Sequence, residues 1–196
     1  MSFDDRTVDQ LLEEARNFRQ RGLNKKAIEA YRNVLAIDDS SVEALNEMGL
    51  VHVLIGEQNM AINAFDLAIS LNPTDPNAHS NKAEAYLTMG MFEEALSVAE
   101  EGLSKSPTSA SLWAKKARAL ESVLKIDEAI EAYQEAIKYD SENPETWKAL
   151  ALCLDAQEKW TEVARAYRIA ASLHLKRGEN QDAESCTKFA EFAEKS

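Results

Sequence analysis

Residues 42–75 read VEALNEMGLVHVLIGEQNMAINAFDLAISLNPTD, and the pattern of this stretch recurs along nearly the whole chain. Within it, apolar residues fall at helical spacing over 42–54 and again over 59–71, with Gly56 between the two runs. Stepping 34 residues at a time from Ala61 gives Ala27, Ala95, Ala129 and Val163. The same step links Ala15, Gly49, Ala83, Ala117 and Ala151, and a further column reads Val34, Ala68, Gly102, Ala136 and Ala170. Tyr31, Phe65, Ala99, Tyr133 and Tyr167 form a mostly aromatic column. Five repeats without insertion therefore fill 8–41, 42–75, 76–109, 110–143 and 144–177, after a lead-in at 1–7 and before a segment at 178–196.

Each column has a physical role. Small residues at fixed helical positions let two backbones approach, and the aromatic fills the gap on the neighbouring helix. Thr7, Ser41, Asp75, Ser109 and Asn143 stand just ahead of the five repeats, and each is a good N-cap. Pro76 and Pro144 follow two of them, at a first helical position where a missing N–H has no partner to lose. Gly22, Gly56 and Gly90 mark a turn halfway through the first three repeats, where the last two carry Leu124 and Glu158, a weaker turn signal. The reading is helix, short turn, helix in every repeat. Helices this short are marginal alone and must stack on neighbours to bury their apolar faces. Past the fifth repeat, 161–177 is expected as one long helix ending at Gly178, followed by a terminal helix over 181–195. Its residues Ala183, Cys186, Phe189, Ala190 and Ala193 form an apolar side, with Glu184, Lys188 and Glu191 on a charged side, as in a cap.

These columns closely resemble the tetratricopeptide repeat family. Leu45, Met48, Gly49, Ala61, Phe65, Ala68 and Pro73 stand at that family's signature positions in the second repeat. Trp113 and Trp147 match its first-helix tryptophan, and Tyr86 its first-helix tyrosine. The resemblance implies an all-α fold, a right-handed α-α superhelix in which each first helix lines a concave groove. It also implies a protein-interaction scaffold that holds a peptide or partner helix there, although such a scaffold serves many partners.

Composition narrows the function classes. The 196 residues carry 34 Asp+Glu against 22 Lys+Arg, a net charge of −12 that opposes sequence-independent nucleic-acid binding and docking on an anionic membrane. Two cysteines, Cys153 and Cys186, supply neither a disulfide framework nor a zinc site by themselves, so a reducing compartment is expected. The acidic start MSFDDRTVDQ is unlike a signal peptide, and no stretch is apolar enough to span a bilayer. The expectation is a soluble, cytoplasmic chain, complete from its Met start to its capping helix.

No catalytic constellation is visible. His52, His79 and His174 sit in unrelated places, and His52 and His79 replace packing aromatics, as structural imidazoles do. The glutamate pairs at 13–14, 93–94 and 100–101 point in different directions on their helices and read as solvated surface. No metal, cofactor or enzymatic activity is expected.

By the resemblance, the groove is lined from six positions of each first helix. Two features stand out among them. Leu50, Val53 and Leu54, with Leu87 one repeat on, make an apolar patch, unless the adjoining repeat buries them. Lys115, Arg118 and Lys148 make a basic cluster, with Asn77, Ser80 and Asn81 next to it as backbone hydrogen-bonders, and Asn46 is a further groove position in the second repeat. The competing reading pairs those cations with Glu84, Glu121 and Glu145 across neighbouring helices. The first reading predicts a bound peptide that combines apolar anchors with an acidic stretch. The carboxylate clamp of the chaperone-tail-binding subfamily is disfavoured, because its five sites hold Asn46, Leu50, Asn81, Ser111 and Lys115, and only Asn81 matches outright.

Charge is uneven along the chain. Residues 33–104 hold twelve acidic side chains and one basic one, Lys82. That segment is either a solvated face or a steering surface for a basic partner. The leading expectation is a non-catalytic adapter. Its alternatives are a scaffold that self-associates through the apolar patch or its ends, and a regulatory subunit of a larger complex.

Overall fold

The computed structural model describes residues 7–196, so the lead-in at 1–7 lies outside the described residues apart from Thr7. Among the described residues there are eleven helices and no strand, in keeping with the all-α class. In order they are α1 (Val8–Gln20), α2 (Asn24–Ile37), α3 (Val42–Leu54), α4 (Gln58–Leu71), α5 (Pro76–Thr88) and α6 (Phe92–Lys105). Then follow α7 (Ala110–Ser122), α8 (Ile126–Tyr139), α9 (Pro144–Asp155), α10 (Trp160–Lys176) and α11 (Asn180–Ala193).

Local chemistry sets these boundaries. The side chains of Thr7, Ser41, Asp75, Ser109 and Asn143 each accept a backbone N–H in the first turn of α1, α3, α5, α7 and α9. Thr7 and Gln10 complete a reciprocal capping box. The midpoint turns end the first helices through a left-handed residue, with φ +70° at Gly22, +79° at Gly56 and +74° at Gly90. Leu124 (φ +62°) and Glu158 (φ +58°) adopt the same conformation without glycine's freedom. The weak turn signal thus hides a full-strength turn, in which the amides of Lys125 and Lys159 reach back to the carbonyls of Leu120 and Leu154.

The chain divides into two compact units, one ending at Met91 with α1–α5 and one from Phe92 to Ser196 with α6–α11. In the first, α1 packs on α2 and α3 on α4, and contacts of α2 with α3 and α4 with α5 join the pairs. Leu11, Leu12, Ala15, Ala27, Tyr31 and Val34 form one buried cluster, while Ala61, Phe65 and Ala85 form another. Gly49 touches that second cluster: a Cβ there would stand 2.5 Å from Cε1 of Phe65. The small residue is therefore required by a close approach, as its column suggested.

In the second unit, α6 packs on α7, α7 on α8, α9 on α10, and α10 on α11. A single apolar cluster runs from Ala117 through Ala129, Tyr133, Ala151, Val163 and Ala170 to Ala193. Removing a side chain the size of Leu120 or Leu150 from water contributes roughly 1.5–3 kcal/mol. The indoles of Trp113 and Trp147 donate to the carbonyls of Pro107 and Ser141, both at 2.9 Å, and so pin the connections that enter α7 and α9.

The terminal helix departs from expectation on its outer side. Ala183, Cys186, Ala190 and Ala193 are buried and Glu184, Lys188 and Glu191 are exposed, as read. Phe189 remains 55% exposed and Phe192 66% exposed. The buried stripe of α11 is narrow and made of small residues, so Phe189 lies at its margin and stacks on Tyr167 at 5.2 Å instead of entering the core.

Candidate functional site

In the first unit, α3 presents the apolar residues singled out by sequence. Leu50 and Val53 are half-buried against the cluster of Ala61, Phe65 and Ala85, whereas Leu54 is 67% exposed. Leu87 is buried within α5. Asn46 is buried as well, and its Nδ2 donates to Oδ2 of Asp75 at 3.2 Å while its Oδ1 has no partner. The same Asp75 carboxylate accepts the Asn77 amide at 3.0 Å, so it ties α3 to the start of α5. Ser80 is buried, Asn81 half-buried and the Asn77 side chain exposed.

Depth explains this division. The resemblance names groove positions by their angle around the helix and not by depth, and Asn46, Ser80 and Leu87 lie below the solvent surface. The slots nearest the start of the chain pair with one another. Arg16 bonds Glu43 and sits 3.4 Å from Glu47, Arg19 lies 3.0 Å from Glu47, and the Tyr31 hydroxyl donates to Glu47 at 3.1 Å. Burial first, then the charge of Glu47, raises the Tyr31 hydroxyl above its ordinary pKa and keeps it a donor. Sequence reading missed this network, although opposite charges at facing slots of consecutive first helices were its signal.

In the second unit, Arg118 is exposed and Lys115 half-buried on α7, and Lys148 is half-buried on α9. Lys148 pairs with Glu145 at 3.0 Å, within its own helix and not across to a neighbour. The Tyr133 hydroxyl donates to Glu121 at 2.8 Å, and burial followed by that carboxylate raises its pKa. Leu152, on the same helix as Lys148, is an exposed apolar residue that the sequence reading did not single out.

His52 and His174 are buried, with Nδ1 at 2.7 Å from Glu57 and 2.6 Å from Glu179 respectively, in matching positions at the ends of α3 and α10. His174, Glu179 and Asp182 bring three ligand-type atoms together. The equivalent His52–Glu57 bond closes its helix end on its own, which marks the His174 contact as a helix-capping bond. Cys153 and Cys186 are both buried, and desolvation pushes the Cys153 thiol up to about 12. A thiol held protonated this way is a packing residue. No helix among the described residues is long and apolar enough to cross a membrane.

The fold has many solved counterparts. TTC0263 of Thermus thermophilus, a thermophilic TPR protein, superposes with a TM-score of 0.76 at 18% identity, over 95% of this chain and 100% of that one. MamA (41-end) of Desulfovibrio magneticus RS-1 gives 0.64 at 18% identity, covering 96% and 95%. YrrB, a TPR protein with an unusual peptide-binding site, gives 0.62 at 13% identity, covering 93% and 92%. No curated protein matches the chain. Models of the tetratricopeptide repeat match residues 59–119 and 42–75, and a TPR repeat model matches 15–56 and 125–157. With its helix pairs, small-residue columns and capped turns, the chain belongs to the tetratricopeptide repeat family.

Proposed function

We propose that this protein is a non-catalytic adapter that binds a peptide or partner segment on the faces of its first helices. The observation that carries the reading is the α3 face, where Leu54 is exposed beside half-buried Leu50 and Val53. An apolar side chain held in water by an otherwise well-packed helix gains most when a partner covers it. In the second unit, taken by itself, Lys115, Arg118 and Lys148 support the docking of an acidic segment. The five-repeat division, with 178–196 as a terminal helix, is the frame we adopt for these faces. The peptide-binding site in the name of YrrB agrees with this class of partner.

The test is a panel of acidic–apolar peptides titrated against wild type and against Leu54→Glu with Arg118→Glu. Both positions are exposed, so the substitutions leave the core intact. Binding by wild type that weakens at least about tenfold in the variant, roughly 1.4 kcal/mol, supports the reading. Failure of every peptide at millimolar concentration, or indifference of every bound peptide to the variant, overturns it.

A second reading, self-association, is favoured by Met60, Leu67 and Leu71, which are exposed along one face of α4. Native mass at several concentrations separates the two, because self-assembly follows mass action.

A further inference from the structure

The pair α10/α11 obeys the rules of a helix pair within a repeat, not of a junction between repeats. Connections between repeats carry an N-capping side chain on the last residue before the next helix, as at Ser41, Asp75, Ser109 and Asn143. The turn into α11 has none and instead uses Gly178 at φ +76°, two residues before the helix, as Gly22 precedes α2 and Gly56 precedes α4. The Glu179 amide bonds the His174 carbonyl at 3.0 Å, just as Glu57 bonds His52 at 2.9 Å.

Aligning Gly178 with Gly56 puts Tyr167 on the column of Leu45 and Trp147, and Ala171 on the column of Gly49 and Ala151. It also puts Ala183 on the column of Ala61 and Ala190 on that of Ala68. All four are buried. Helix α10 therefore serves twice, as the second helix of the fifth pair and the first helix of an overlapping sixth. In the second role its groove positions are Arg165, Arg168, Ile169, Ser172, Leu175 and Lys176, which form the stripe of α10 that stays out of the core. Most of this stripe lines an open furrow of about 1120 Å³, with Trp147, Trp160 and Leu173 as apolar lining and Glu142 and Glu194 in the same lining.

We propose that this furrow is a second docking surface, distinct from the α3 and α7 faces, for an acidic peptide segment that carries apolar anchors. Charge complementarity selects that occupant. In a chain of net charge −12, the furrow gathers Arg165, Arg168 and Lys176 on one helical face. Arg168 is bound by Glu194 at 2.7 and 2.8 Å, and Lys176 lies 3.6 Å from Glu142. Arg165 has no ion pair among the described residues and lines the furrow together with Trp147 and Trp160. Exposed ion pairs such as Arg168–Glu194 exchange readily for an incoming carboxylate, and the indoles cover an apolar side chain beside it.

The experiment selects a random peptide display library on the full-length protein and labels the enriched peptides with fluorescein. Anisotropy titrations then use wild type, the furrow variant Arg165→Glu with Lys176→Glu, and the Leu54→Glu, Arg118→Glu variant. Both furrow positions are exposed, and unchanged thermal unfolding verifies the fold. We expect a class of peptides rich in Asp or Glu with Leu or Phe that loses at least about tenfold in affinity in the furrow variant and nothing in the other. Peptides that weaken only in the other variant report on the α3 and α7 faces and leave the furrow without an occupant, which overturns the assignment. It is also overturned if furrow-dependent peptides lack acidic residues, or if none is enriched. Concentration-dependent mass that disappears in the furrow variant overturns it too, since a second copy of the chain is then the occupant.

Discussion

Exchanging the residues at two equivalent turns isolates the backbone's share of the fold's stability. Gly56 and Leu124 occupy the same left-handed position, at φ +79° and +62°. A Cβ at Gly56 would meet nothing within 4 Å, and Leu124 is 82% exposed, so neither exchange alters packing. What remains is conformational energy. A left-handed non-glycine residue costs roughly 1–2 kcal/mol, and glycine's additional freedom in the unfolded chain returns roughly 0.5–1 kcal/mol of that difference. Leu124→Gly is thus expected to stabilise by about 0.5–1 kcal/mol, and Gly56→Ala to destabilise by a similar amount. For a chain of this size that is a shift of a few degrees, at roughly 2–4 °C per kcal/mol. Denaturant unfolding followed by far-UV circular dichroism measures both. If the two exchanges shift the midpoint in the same direction, or Leu124→Gly is destabilising, the argument from backbone conformation is wrong.

Three other outcomes are expected. Gly49→Ala forces a Cβ against Phe65, and overpacking of this kind should remove roughly 1–3 kcal/mol in the same unfolding assay, whereas Gly22→Ala should lose only the backbone share. Asn143→Ala deletes the cap that accepts the Glu145 amide and should cost about 1 kcal/mol, recovered in large part by Asn143→Asp. The thiol of Cys153, raised from 9.0 to about 12 by burial and then by Glu121, favours the folded state while it stays neutral. That contribution is complete below the ordinary thiol pKa and is lost as pH rises from about 9 towards 12, so alkaline destabilisation should be shallower in Cys153→Ala than in wild type. Iodoacetamide should label Cys153 only after denaturation, as read by mass spectrometry.

Much of the fold was legible because the repeat superimposes several weak signals. Ser41, Gly56 and the small residues Gly49, Ala61 and Ala68 each say little alone, yet their recurrence bounds α3 at 42–54, where it forms. Leu124 and Glu158 were harder to read, because a side chain reports propensity and the turn there is imposed by the helices on either side. The candidate surface was legible in direction and not in depth. Leu54 and Arg118 reach solvent, while Asn46, Ser80 and Leu87 are buried. The pairing of Arg16 and Arg19 with Glu47 depends on the distance between α1 and α3, which no single-helix pattern contains.

Amide hydrogen exchange on the whole chain, with and without an acidic–apolar peptide whose affinity is unchanged by Arg165→Glu with Lys176→Glu, tests most directly whether first-helix faces hold the partner. The account predicts slowed exchange in α3 that is lost with Leu54→Glu, or in α7 that is lost with Arg118→Glu. Protection that falls elsewhere while α3 and α7 exchange as in the free protein would contradict it.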